Sequence, residues 1–107
     1  IRDNKGNYQQ FESHSPPLGV LYHKEKSVYK LHKEKLNDSR FYCFTDGLSE
    51  SIDNKGKEIG IEGSIKIIEN NYNKDAKKQL SNITKEVIKN AKGNNLSDDL
   101  TLLSVGK

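Results

Sequence analysis

The strongest constraint on what this chain can fold into lies near its middle. There Arg40-Phe41-Tyr42-Cys43-Phe44 runs without interruption into Thr45-Asp46-Gly47. An aromatic, apolar run bounded by turn formers reads as a strand, here from Phe41 to Thr45, that ends at the Asp-Gly pair. A later segment reverses the order: Ser97-Asp98-Asp99 comes first and Leu100-Thr101-Leu102-Leu103 follows. It reads as a strand from Leu100 to Val105 that opens on carboxylates. Antiparallel pairing of the two would bring Asp46 close to Asp98. Carboxylates held face to face repel one another unless a cation lies between them. The pair Asp46 and Asp98 is therefore the candidate site, and a divalent ion is its natural occupant.

The remaining apolar residues are few. Of 107 residues only 32% are hydrophobic, and a chain of this length forms one domain that buries roughly 60 to 70% of its unfolded surface. A thin core is expected. The 18 basic residues against 15 acidic ones leave a net charge of +3, and the lysines are interspersed with glutamates and asparagines. That pattern is a solvated surface and lacks the clustering of a nucleic-acid footprint, so no nucleic-acid partner is expected. Cys43 is the single cysteine. Inside an apolar strand it is expected to be a small buried hydrophobe with no catalytic part. No stretch approaches the eighteen or so apolar residues of a membrane span, and the opening Ile1-Arg2-Asp3-Asn4-Lys5 has no signal-peptide core. These features point to a cytoplasmic segment without direct membrane contact.

The first half reads as β-rich. Strands are expected at Asn7–Glu12, Val20–His23 and Val28–His32, with Ser15-Pro16-Pro17-Leu18-Gly19 as a loop and Asn37-Asp38-Ser39 as a turn. Asp3-Asn4-Lys5-Gly6 recurs as Asp53-Asn54-Lys55-Gly56. Nothing around the two copies matches, so the recurrence is one of turn chemistry and not of an internal repeat. From Ile61 the period lengthens. Ile61, Ile65 and Ile68 form one face of a short helix closed by Asn70-Asn71, and Ala76, Leu80, Ile83, Val87 and Ala91 form one face of a longer helix stopped near Gly93. The fold class is α+β, an antiparallel sheet with two helices on one face. His14, His23 and His32 share no spacing with acids that would make a zinc site. Glu50 and Asp53 read as solvated loop acids.

The ordered segments Pro17-Leu18-Gly19-Val20, Phe44-Thr45-Asp46-Gly47-Leu48-Ser49-Glu50, Gly60 and Asp98-Asp99-Leu100-Thr101-Leu102-Leu103 resemble the C-terminal part of the metal-dependent Ser/Thr protein phosphatases, the PPM family. Within that family they resemble the bacterial SpoIIE-type branch. The resemblance covers nearly the whole of residues 1–107 and implies a portion of an α/β/β/α sandwich. It further implies two manganese or magnesium ions held by aspartates at strand ends. Asp46 and Asp98 map onto metal ligands, while Asp99 and Gly47 support them without touching the ion. Hard oxygen donors suit magnesium and manganese, and a water bridging two such ions about 3.5 to 4 Å apart can attack phosphorus without a protein nucleophile. No catalytic side chain is accordingly assigned.

The family's other ligands belong to an earlier segment, and nothing before Asp46 supplies them, since Asp3 and Asp38 sit in turn-type sequences. Ile1-Arg2 would fall inside a strand of the family fold. The chain is thus expected to be the C-terminal piece of a longer phosphatase domain and inactive alone. Its bare sheet face is expected to stay exposed or to be covered by pairing of two copies. The implied substrate is a phosphorylated regulatory protein. The alternative is a non-catalytic pseudophosphatase or regulatory interaction module that keeps the fold without its metals.

Overall fold

The computed structural model describes residues 1–12, 29–92 and 99–107. Its elements in chain order are β1 (Arg40–Phe44), α1 (Asp46–Ser49), α2 (Gly60–Asn70), α3 (Ala76–Ala91) and β2 (Leu102–Gly106). The two strands pair antiparallel, with Arg40 opposite Gly106 and Phe44 opposite Leu102. The architecture is α+β, and the pairing that the two sequence runs imply is the pairing that forms.

Alternation along a strand sends successive side chains to opposite faces, and here the two faces have different fates. Tyr42, Phe44 and Leu102 pack against a cluster made by Leu48 of α1, Ile67 and Ile68 of α2, and Ile83 and Val87 of α3. All five of those core residues are buried, four of them almost completely. Burying an aliphatic side chain of this size contributes about 1.5 to 3 kcal/mol, so this layer carries most of the apolar stabilisation. The other face presents Phe41, Cys43, Leu103 and Val105. Leu103 and Val105 keep 53% and 46% of their surface in solvent, and Cys43 is exposed. The expectation that Cys43 is buried is thus wrong: strand parity points it away from the helices, and no layer covers that side among the described residues.

Both expected helices form, but α2 buries Ser64, Ile67 and Ile68 and leaves Ile61 of the expected stripe exposed. In α3, buried Gln79, Ile83, Val87 and Ala91 recur every four residues, one turn apart on a single stripe. Asp75 starts the helix by accepting hydrogen bonds from the backbone N–H groups of Lys77 and Lys78, which satisfies two donors that no helical carbonyl can reach. Lys92 ends it in a left-handed conformation, φ 52°. The stop comes one residue before the expected Gly93, which lies outside the described residues. In α2, Asn71 closes the helix, its side-chain amide donating to the Ile67 carbonyl at 2.8 Å.

The recurring tetrapeptide makes the same turn twice. Asp3 Oδ1 accepts from the N–H of Lys5 and Asn7, and Asp53 Oδ1 accepts from the N–H of Lys55 and Lys57. Gly6 and Gly56 take φ values of 89° and 82°, which side-chain-bearing residues rarely adopt. Each turn closes a miniature hairpin through one bridge, Arg2 to Tyr8 and Ile52 to Glu58. The strand expected at Asn7–Glu12 is reduced to that single bridge at Tyr8. Residues 29–32 are not strand, and Val28 together with the expected strand at Val20–His23 falls outside the described residues. The turn at Asn37 is present, with Ser39 N–H donating to the Leu36 carbonyl at 2.7 Å.

Arg40 is the least expected interior residue, only 2% exposed. Its guanidinium donates to the carbonyls of Asn73, Lys74 and Lys107 and to Gln79 Oε1. Gln79 in turn accepts from the Tyr42 hydroxyl and donates to the Ile68 carbonyl. One planar cation thereby ties the sheet to the α2–α3 connection and to the end of β2. Among the described residues no helix is long and apolar enough to cross a membrane.

Candidate metal-binding site

Thr45 ends the strand run and Asp46 begins α1, so the Asp-Gly pair that reads as a turn is the first turn of a short helix. Asp46 and Thr45 are exposed, whereas Gly47 and Leu48 are buried. Leu48 therefore plugs α1 into the core and fixes the direction in which Asp46 leaves the strand.

The ladder continues past β1 and β2. Thr45 N–H donates to the Thr101 carbonyl at 3.1 Å. On the return side, Thr101 N–H donates to Thr45 Oγ1 at 3.0 Å, and the same hydroxyl donates to the Asp99 carbonyl at 3.0 Å. Gly47 meets that carbonyl too: a Cβ built on Gly47 would stand 2.3 Å from the Asp99 oxygen. Any side chain at position 47 would push the two segments apart, so glycine is required by close approach and not by backbone dihedrals. Asp99, expected to lend support beside the site, is thus held against both Thr45 and Gly47 through its backbone.

Asp98 lies outside the described residues, and its side chain has no place in this geometry. Asp46 and Asp99 are brought to one end of the sheet, on either side of the Thr45–Thr101 pair. Of the other acids, Asp3 and Asp53 are engaged in their turns, and Glu50 is exposed beyond α1. His32 is exposed and pairs with Glu34 at 3.1 Å. No group of three or more His, Cys, Asp or Glu that could hold a metal forms among the described residues.

Asp46 and Asp99 bring acid-bearing segments to the same sheet end. Their donors are carboxylate oxygens, which suit magnesium and manganese, and the glycine cradle lets two acid-bearing segments approach more closely than any other residue would allow. What sequence reasoning missed is the part of Thr45, seen there only as a strand end. A hydroxyl residue just before a helix usually caps that helix. Here Thr45 makes no such cap, because its hydroxyl is committed across the chain.

The family model for Stage II sporulation protein E (SpoIIE) matches residues 1–106. The chain belongs to the SpoIIE family, a family of PPM-type phosphatases whose members typically use manganese or magnesium. Neither the curated proteins nor the solved structures yield a match.

Proposed function

We propose that this chain is the C-terminal part of a phosphatase domain that hydrolyses phosphoserine or phosphothreonine on a regulatory protein, with Asp46 and Asp98 as metal ligands. The observation that carries this reading is the β1–β2 register. It sets Asp46 and Asp99 at the same sheet end, with Gly47 in backbone contact with Asp99.

Manganese or magnesium, when bound, would supply an activated water and offset the negative charge of the phosphoryl oxygens. The protein's own work is positional. Asp46 is the exposed carboxylate at the head of α1, and Leu48, buried completely, anchors that head against the core. The Thr45–Thr101 pair holds the opposing segment at fixed distance. Bringing the acids together costs electrostatic energy that the cation offsets, so metal binding and the local fold are coupled.

On this reading the chain supplies two ligands, Asp46 and Asp98, and the remainder of the set comes from elsewhere in the domain. The reading therefore expects no manganese-dependent hydrolysis of p-nitrophenyl phosphate by residues 1–107 alone, and turnover by a longer domain that contains them. In that longer domain manganese should raise the melting temperature, and Asp46→Asn should abolish the rise, since a ligand that binds only the native state stabilises it by mass action. A longer domain that neither binds manganese nor turns over would leave the non-catalytic interaction module in its place.

A further inference from the structure

We propose that Thr45 is a positioning residue that holds the segment carrying Asp99 in register with Asp46. For its bearing on metal binding, this inference rests on the phosphatase reading above. The geometry of one hydroxyl carries it. Thr45 Oγ1 accepts from the Thr101 N–H at 3.0 Å and donates to the Asp99 carbonyl at 3.0 Å, so it spans the backbone on both sides of Leu100. The residue occupies the N-cap position of α1 with an extended backbone, φ −83° and ψ 168°. From there a threonine hydroxyl would normally accept an N–H of the first helical turn. It forgoes that bond for two contacts more than fifty positions away in sequence.

The backbone alone does not do this work. The Thr45 carbonyl, which would complete the pair by accepting from Thr101, accepts instead from the Leu48 N–H at 3.1 Å and so starts α1. The side chain replaces the carbonyl as acceptor for Thr101. Thr45 can then serve the helix with its main chain and the opposing segment with its side chain. A residue without a hydroxyl would have to abandon one of the two. Gly47 then sets the spacing by contact while Thr45 sets the registration by hydrogen bonding. Asp46 sits between them in sequence, and its direction relative to Asp99 follows from both.

The test compares the native chain with Thr45→Val, Thr45→Ala and Thr45→Ser by amide hydrogen exchange and manganese titration. Valine keeps the branched shape and alanine removes it, while serine restores the hydroxyl. Exchange at the Thr101 amide should rise about tenfold or more in the valine and alanine variants, measured against the Ile83 and Val87 amides of the core, and should return to the native rate in the serine variant. Manganese affinity should fall roughly tenfold in the same two variants and recover with serine, the range expected when a residue that orients a ligand is removed. An unchanged Thr101 rate, a serine variant that fails to restore it, or manganese affinity equal in all four proteins would overturn the proposal. If the native chain binds no manganese, the positioning role toward a metal falls with it. If manganese binds but is indifferent to Thr45, the phosphatase reading survives and this inference does not.

Discussion

Gly47 and Asp99 touch backbone to backbone: no Cβ can be placed on Gly47 without standing 2.3 Å from the Asp99 carbonyl oxygen. Two segments far apart in sequence therefore meet at a point with no tolerance for volume. Gly47→Ala should cost about 2 kcal/mol, the range for inserting a methyl group where no space exists. Urea denaturation measures the loss. The amide shifts of Asp99 to Thr101 should move with it, while those of α3 should not.

Arg40 and Gln79 make the second sensitive pair. Arg40→Ala would strip the donor from Gln79 Oε1 and from the carbonyls of Asn73, Lys74 and Lys107. Gln79 Oε1 keeps the Tyr42 hydroxyl, while the three part-buried carbonyls lose a charged donor, at about 1 to 3 kcal/mol for each that water does not reach. A total near 4 kcal/mol is expected by chemical denaturation, and Arg40→Lys should recover only part of it, because an ammonium group cannot match the planar fork. Full recovery with lysine would mean that the charge matters and the geometry does not.

Acid should loosen the N-terminal hairpin before the core. The Arg2 guanidinium donates to both oxygens of Glu69 at 2.7 and 3.1 Å. That hydrogen bonding, helped by the Tyr8 hydroxyl and opposed by partial burial, holds the Glu69 carboxyl below its ordinary 4.5. Because the folded value is the lower one, the contribution is complete above 4.5 and is lost as the pH falls through the depressed value. Glu69 is 40% exposed, so solvent screening limits the effect to about 1 kcal/mol or less. Stability measured from pH 6 to 3 should fall less steeply in Glu69→Gln than in the native chain.

Cys43 should react with a disulfide reagent in the folded protein at a rate close to that of the unfolded chain, since it is exposed beside Leu103 on the uncovered sheet face. If two copies pair through Phe41, Leu103 and Val105, labelling will slow as protein concentration rises, and sedimentation will report the dimer over the same range. Slow labelling at every concentration would place another layer over that face.

Periodicity made the helices and the strand pair readable. The four-residue spacing of Ile83, Val87 and Ala91 marks α3 from end to end, and the aromatic run at 41–44 marks β1. The identity of the covered face was not readable in the same way, because β1 is apolar on both faces: Phe41 and Cys43 look as buried as Tyr42 and Phe44 until α2 and α3 are set on one side. Arg40 was hidden for a different reason. A cation at a strand start reads as solvated, and only the fold shows that three carbonyls and an amide converge on it. The strand expected at residues 7–12 rested on alternation in a short polar stretch, which cannot outweigh turn formation by Asp3 and Gly6. At the candidate site the sequence named Asp46, Gly47 and Asp99. It did not single out Thr45, whose bonds depend on the register of a strand nearly sixty residues away.

Convergence of the Asp46 and Asp98-Asp99 segments on one cation is tested most directly by paramagnetic broadening. Manganese added in sub-stoichiometric amounts to the isotope-labelled chain should broaden the amides of Asp46, Gly47, Asp99 and Leu100 together, with the same concentration dependence, and Asp46→Asn should remove the effect from both segments at once. Broadening confined to one segment, or equal broadening in the Asp46→Asn protein, would contradict a shared site.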